Sequence, residues 1–548
     1  MFTYRLANLG CKVNQYDGAA IAGRLGELGL VEAPQPPHQQ AGHADTPAVG
    51  VDLLVINTCC VTASAMQKSR YAIRRAVRRS PGAVVLACGC YSQYDEPEVA
   101  KVLAALGIAE DKWIVAPRQA DIGAAVDQAV EMVKRGRKSA QNPGQLPSSD
   151  DENQASPLSA AAVSDPLAPP QVFARHVRAF VKVQDGCDAF CSYCVVPLAR
   201  RDIWHRPPAE VVEHCRRLVA AGYREIVLSG VFLGAYGQST TVRRKWNPAG
   251  RLLPQLLERL DDIDGLWRIR LSSIEPADAD DALLAVLAKM RKFAPHMHLP
   301  LQSGSGPILR RMNRQYTPGE FGQAVERITQ AFDRPALTAD IIVGFPGETD
   351  ADFAATLDMA RFARFCGIHA FPFSPIKGTA AWAWREQAPG PQVVKERLRQ
   401  LAALGRELSR EYRQTFVGQE VEALVEYPQE REENRDTSLF PAVSASQHQG
   451  AQASVARRNG LEGDEEESRD TSPFPAISES QRQGAQASMA RRNGLEGDGN
   501  GEVSLLSRQA MTDRHLTIYF DGAAVPPGKV INLKVTALIG DGLSGVMT

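Results

Sequence analysis

The stretch Cys187-Asp188-Ala189-Phe190-Cys191-Ser192-Tyr193-Cys194 places three thiols on one short loop. It follows an apolar run, Ala179 to Val183, which reads as a β-strand ending in Gln184-Asp185-Gly186. Thiolate sulfur favours soft or borderline metals, so the loop suits an iron–sulfur cluster or zinc. A four-iron cluster is usually held by four Cys. Three local ligands would leave one iron open to bind a substrate. Structural zinc wants four ligands, often from paired C-x2-C units. The C-x3-C-x2-C spacing therefore favours the open cluster.

Downstream, short apolar runs alternate with helical stretches. Glu225 to Leu228 leads into Ser229-Gly230. Ile269 to Leu271 leads into Ser272-Ser273-Ile274-Glu275, and His296 to Leu301 into Gln302. Ala339 to Val343 and Gly367 to Phe373 are two more such runs. About six β/α units predict a parallel barrel or partial barrel with its site at the strand C-termini. Cys215, on the apolar face of the helix expected from Pro208 to Ala221, reads as a core residue. Cys366, just before a strand, reads the same way.

Upstream, Thr3–Asn8, Val51–Ile56 and Ala83–Ala87 read as strands separated by helices, an open parallel α/β sheet. Ligands gather at the carboxyl ends of such strands. Each of these ends delivers Cys: Cys11, then Cys59-Cys60, then Cys88-Gly89-Cys90. A second cluster held by one Cys from each strand end follows, with two candidates at each of two ends.

The C-x3-C-x2-C spacing, with aromatic Tyr193 before the last Cys, resembles the signature of the radical S-adenosylmethionine (SAM) enzymes. Gly10-Cys11-Lys12-Val13-Asn14-Gln15-Tyr16, Asn57-Thr58-Cys59-Cys60-Val61-Thr62 and Gly89-Cys90-Tyr91-Ser92-Gln93 resemble the N-terminal motifs of the methylthiotransferases within that superfamily. The resemblance implies two [4Fe-4S] clusters, one held by Cys187, Cys191 and Cys194, the other by Cys11, Cys59 and Cys90. It implies SAM near Ser229, Gly230, Ser273, Glu275 and Gln302, used as methyl donor and as radical source to convert C–H to C–SCH3. The Cys11 motif looks most like the branch acting on N6-threonylcarbamoyladenosine at tRNA position 37. The implied partners are the anticodon stem-loop of ANN-decoding tRNA and an electron donor such as a flavodoxin or ferredoxin. The other substrates in the family are isopentenyladenosine of tRNA and an aspartate of a ribosomal protein. One departure stands out: where the family has Arg-Gly, this chain reads Arg200-Arg201.

Val421–Tyr427, His515–Phe520, Lys529–Thr536 and Gly545–Met547 predict a small C-terminal β-barrel that resembles the RNA-binding TRAM domain. The expected organisation is a cluster domain over 1–125, a linker over 126–172, a radical SAM domain over 173–400 and the barrel over 412–548. An uncollapsed insertion at 430–503 carries a tandem duplication, Arg435-Asp436-Thr437-Ser438 recurring at Arg469-Asp470-Thr471-Ser472. Residues 36–50 read as a surface loop. The 548 residues carry a net charge of −1, so any surface for RNA must be a local one. The basic helical stretch Lys68–Arg79 is one candidate, with Arg70, Arg74 and Arg78 on one face. Ten Cys in tight groups, no signal-peptide core and no membrane-spanning run point to a reducing, cytoplasmic setting. The rival from another class is a non-catalytic zinc or RNA-binding protein.

Overall fold

The computed structural model describes residues 1–34, 50–141, 167–173, 176–427, 508–521 and 525–548. Residues 36–49, the 142–166 part of the expected linker and the duplicated insertion lie outside them.

The N-terminal sheet contains β1 (Phe2–Asn8), β2 (Leu30–Glu32), β3 (Leu53–Thr58), β4 (Val84–Gly89) and β5 (Trp113–Val115). All pair in parallel, in the order β2-β1-β3-β4-β5. The expected strands are present. Two more, each of three residues, were too short to leave an alternation pattern in the sequence. Helices α1 (Lys12–Glu27), α2 (Ala63–Arg79), α3 (Cys90–Tyr94), α4 (Glu96–Ala104) and α5 (Ile122–Gln141) join and cover the strands. The strand order reverses between β1 and β3, and such a switch point opens a crevice at the strand C-termini. Cys11 and Cys59 flank that crevice, and Cys90 lies one strand further on.

The helix α5 runs into the stretch expected as a linker. The chain stays helical to Gln141, and Ile122, Val126, Ala129 and Val133 recur at helical spacing, buried with Leu53, Val55, Val84 and Leu86. The boundary at 125 falls in the first turn of this helix.

The central part is a partial barrel. Strands β6 (Arg178–Asp185), β7 (Trp204–His205), β8 (Glu225–Gly230) and β9 (Arg268–Leu271) form one sheet. Strands β10 (His296–His298), β11 (Ala336–Val343) and β12 (Gly367–Pro372) form another. Single parallel bridges, Ser273 to His298 among them, join the two. Six strands run parallel; only β7 is antiparallel, on the outer edge of β6. Outward residues such as Ile226, Leu228, Ile269 and Leu271 pack with the helix residues Val211, Leu218, Leu256 and Leu283. Inward positions are largely polar, so the barrel interior is built to receive something.

The helix Pro391–Gln414 buries Leu401, Leu404 and Leu408. Two of its arginines serve the fold. Arg397 pairs with Glu348 at 2.7 Å, and Arg413 donates to the Gly540 and Gly542 carbonyls. Strands β13 (Glu420–Val425), β14 (Arg508–Thr512), β15 (Thr517–Phe520), β16 (Val530–Ile539) and β17 (Gly542–Met547) close a barrel in the order β13-β14-β15-β17-β16. Phe416, Val425, Ile518, Phe520 and Leu533 fill it.

Candidate active site

Strand register brings the three N-terminal Cys turns side by side. Asn8 pairs with Asn57, and Thr58 with Gly89. Asn57 Nδ2 donates to Asn8 Oδ1 and to the Asn14 carbonyl, both at 2.8 Å. Asn14 Nδ2 donates to the Leu9 and Thr58 carbonyls. Gly89 has φ +85°, and a Cβ there would lie 2.2 Å from Asn57 Oδ1, so only glycine lets the turn carry Cys90 against its neighbour. Cys59 and Cys90 are buried; Cys11, the N-cap of α1, is exposed as a residue, but its thiol lies in the field of Cys90 and Arg200. Each lies in the electrostatic field of the others.

Cys90 is the hub. The buried Cys60 thiol donates to its sulfur, and Arg200 Nε donates to it from 3.2 Å. The hydrogen bond from Cys60, more than the Arg200 charge, brings the Cys90 thiol down to about 6 against the pull of burial. Burial pushes Cys11 and Cys59 up. Cys88 is buried in the apolar layer with Leu86 and Val126 and lies in the field of Cys90 and Arg200. Cys60, which sequence reading set aside, touches Cys90 and also feels Cys194 from the central loop. The two cysteine groups therefore share one cleft.

A buried ion cluster locks the sheet domain to the barrel. Arg200 donates to Asp185 at 2.6 Å, to Asp17 at 2.7 Å and to Asn14 Oδ1 at 2.8 Å. Lys182 reaches Asp17 at 2.5 Å and Asp185 at 3.1 Å. Two cations answer two carboxylates, which is what makes their complete burial tolerable. Burial works to raise the Asp185 carboxyl, but Arg200 and Lys182 outweigh it and hold it below the usual range. Arg201, in place of the family glycine, turns out to solvent and donates to the Leu198 carbonyl, so the departure leaves the cluster intact.

Beyond Asp185 the chain turns into the Cys loop. The Cys187 amide donates to the Arg200 carbonyl at 3.2 Å, and Cys187 Sγ lies 3.4 Å from Thr241 Oγ1. Arg314 Nη1 donates to Cys191 Sγ at 3.2 Å and pairs with Glu275 through Nη2. Burial drives Cys187 up to about 11, and burial with Cys191 and Cys187 as neighbours drives Cys194 up. Three half-buried free thiols, with Cys191 acting to raise both Cys187 and Cys194, form a donor set that a polynuclear metal centre would relieve. The same holds for Cys11 and Cys59 beside Cys90.

Strand ends surround this loop. Ser229 is buried, and its neighbour Gly230 packs against the Gln184 side chain. Gln302 is held at φ +57° with its amide on the Asp340 carbonyl. Ser273 is exposed, whereas Ser272 is buried with its Oγ unpartnered. Deeper inside, Asp340 lies 3.4 Å from His298 Nε2 and 3.1 Å from His369 Nδ1, and the two imidazoles stack. His298, Asp340 and His369 stand outside the set of site residues expected from the sequence. Inward alternation along each strand, with polar residues two apart, was the signal for them.

The Radical SAM superfamily profile matches residues 181–360, and the profile of Uncharacterized protein family UPF0004 matches 3–108. A threonylcarbamoyladenosine tRNA methylthiotransferase from Chlamydia pneumoniae is 34% identical over 77% of this chain and 87% of its own length. Its Bacillus subtilis namesake is 34% identical over 79% and 87%. The chain belongs to the radical SAM methylthiotransferases. A tRNA-2-methylthio-N(6)-dimethylallyladenosine synthase from Pelotomaculum thermopropionicum is 32% identical over 79% of this chain and 88% of its own. Among solved structures, the radical SAM methyltransferase TsrM from Kitasatospora setae aligns over 69% of this chain and 76% of that one, at 15% identity and TM-score 0.43.

As a methylthiotransferase the protein is an enzyme that transfers sulfur-containing groups and uses SAM and two [4Fe-4S] clusters. Its helix α2 exposes Arg74, Arg75, Arg78 and Arg79, and no carboxylate pairs with them among the described residues. Arg70, expected on the same face, instead donates to Tyr91 Oη, next to Cys90. The basic face thus borders the cleft. No described helix is long and apolar enough to cross a membrane.

Proposed function

We propose that this methylthiotransferase converts N6-threonylcarbamoyladenosine at tRNA position 37 to its 2-methylthio derivative. The observation that carries the reading is the single cleft shared by both cysteine groups, bridged by Arg200 between Cys90 and Asp185. The Gly10–Tyr16 motif and the names of the 34% identical relatives support the choice of substrate. Cys187, Cys191 and Cys194 would hold one cluster, and Cys11, Cys59 and Cys90 the other. When bound, the first supplies the electron that turns SAM into a hydrogen-abstracting reagent, and the second carries the sulfur to be transferred.

The chain's own residues orient and enclose. Ser229, Gly230, Glu275 and Gln302, with Ser273 on the exposed rim, would line the SAM site. Arg314 ties Glu275 to Cys191, which fixes the cofactor site relative to the Cys loop. Arg200 and Lys182 neutralise Asp17 and Asp185 in a dry interior, so the two halves keep their spacing during turnover. Exposed arginines of α2 and the C-terminal barrel would hold the phosphate backbone of an ANN-decoding anticodon stem-loop. A flavodoxin- or ferredoxin-type donor would deliver electrons in the cytoplasm.

Nucleoside analysis of tRNA from a deletion strain tests this. Loss of 2-methylthio-N6-threonylcarbamoyladenosine, restored by the wild-type chain but not by either triple Cys→Ala variant, is expected. Unchanged levels, with loss of the 2-methylthio isopentenyl nucleoside instead, would assign the chain to the other tRNA branch.

A further inference from the structure

An unpaired cation stands at the start of α1, within the field of the barrel's arginines. Lys12, the first residue of α1 and next in chain to Cys11, has no hydrogen-bond or ion-pair partner among the described residues. The charges that act on it, strongest first, are Arg270 and Arg178, then Cys11 and Glu225. Arg270 is fully buried and spends its donors on Glu225 at 2.9 Å and on the Thr512 and Asp513 carbonyls at 3.0 Å. Arg178 turns to Glu426 and Glu225. Glu225 is thus already shared by three arginines, Arg178, Arg268 and Arg270, and forms no ion pair with Lys12.

Two imidazoles complete the wall. His515, from the β14–β15 turn, stacks on His296 with ring centres 4.7 Å apart. His296 is 5% exposed; its Nε2 lies 3.2 Å from Thr338 Oγ1, and its Nδ1 has no partner. Burial and the adjoining cations keep both rings well below their ordinary pKa, so each is neutral. A half-buried ammonium with no counter-ion, in the field of an imidazole whose nitrogen is unpaired, is costly unless an anion arrives.

We propose that Lys12, backed by Arg270 and flanked by His296 and His515, is the pocket that binds the carboxylate of the substrate's N6 substituent. This rests on the substrate reading above. A threonylcarbamoyl group ends in a carboxylate, whereas an isopentenyl group offers only hydrocarbon. C2, which receives sulfur, and N6 both lie on the pairing edge of adenine. A group that reads the N6 substituent must therefore sit beside the sulfur-bearing thiols, as Lys12 does beside Cys11. The residue acts by positioning and selection; it moves no proton.

The test uses reconstituted holoenzyme and three anticodon stem-loop RNAs: one with N6-threonylcarbamoyladenosine, one with its threonine methyl ester and one with N6-isopentenyladenosine. Lys12→Met should raise KM for the carboxylate RNA by about 10–100-fold, the worth of one charge-assisted hydrogen bond, with a smaller change in kcat. Lys12→Arg should recover most of it. The wild type should bind the ester RNA as weakly as Lys12→Met binds the acid. Iron content and the cluster absorbance of both variants should match wild type, which separates selection from damage to the neighbouring cluster. An unchanged KM in Lys12→Met, or equal wild-type affinity for acid and ester, overturns the pocket alone. Turnover of only the isopentenyl RNA by the wild type overturns the substrate reading and the pocket with it.

Discussion

Replacing Arg200 by Met should loosen the joint between the sheet domain and the barrel. The side chain makes four hydrogen bonds in a site where Asp17, Asp185 and Lys182 are each at most 2% exposed. Without it, Lys182 alone faces two carboxylates. Removing one partner of a buried pair costs about 3–5 kcal/mol, against a total stability on the order of 5–15 kcal/mol. Hydrogen exchange should report the loss locally. Protection in the segments 12–27 and 178–185 should fall by roughly two to four orders of magnitude, at about 1.36 kcal/mol per tenfold. The pH dependence has a definite sign. In wild type the Asp185 carboxyl lies below its ordinary range, so its contribution is complete above the unfolded carboxylate pKa and is lost as pH falls through the depressed value. In Arg200→Met one carboxyl keeps its proton, its folded pKa rises above the unfolded value, and the folded state binds more protons. The penalty is then largest at neutral pH and shrinks toward about pH 4. Protection within threefold of wild type at neutral pH, or a penalty that grows in acid, would refute the reasoning.

Cys59→Ser should roughly halve the iron bound per chain, from about eight, while Cys60→Ser should retain it; the reverse pattern would make Cys60 the ligand. The triple variant Cys11, Cys59 and Cys90→Ala should still cleave SAM with dithionite but form no methylthio product, whereas Cys187, Cys191 and Cys194→Ala should do neither. Each Arg→Gln change at Arg74, Arg75 or Arg78 should weaken tRNA binding and reduce the salt slope by about one, read from affinity against salt titrations. Gly89→Ala forces a Cβ into Asn57 at φ +85°; it should cost about 1 kcal/mol or more and deplete iron from the N-terminal site, measured by urea unfolding and iron assay.

Local spacing determined much of this protein. The Cys loop after β6, the Cys at three strand ends and the β/α alternation are written within windows of a few residues, because ligands on one turn and strand or helix periodicity are local properties of the chain. Short strands escaped: β2 and β5 have too few residues to show a period, and they form because neighbours supply their hydrogen bonds. Which of Ser272 and Ser273 is buried depended on the phase of a two-residue alternation that only the observed register sets. Other features came from tertiary structure alone. Arg200 meets Cys90 and Asp17 across more than 100 positions of sequence, and Lys12 acts on His515 from the opposite end of the chain. No local pattern marks such meetings. A buried charge reveals its role only when the packed chain shows which partners were brought to it and which were not.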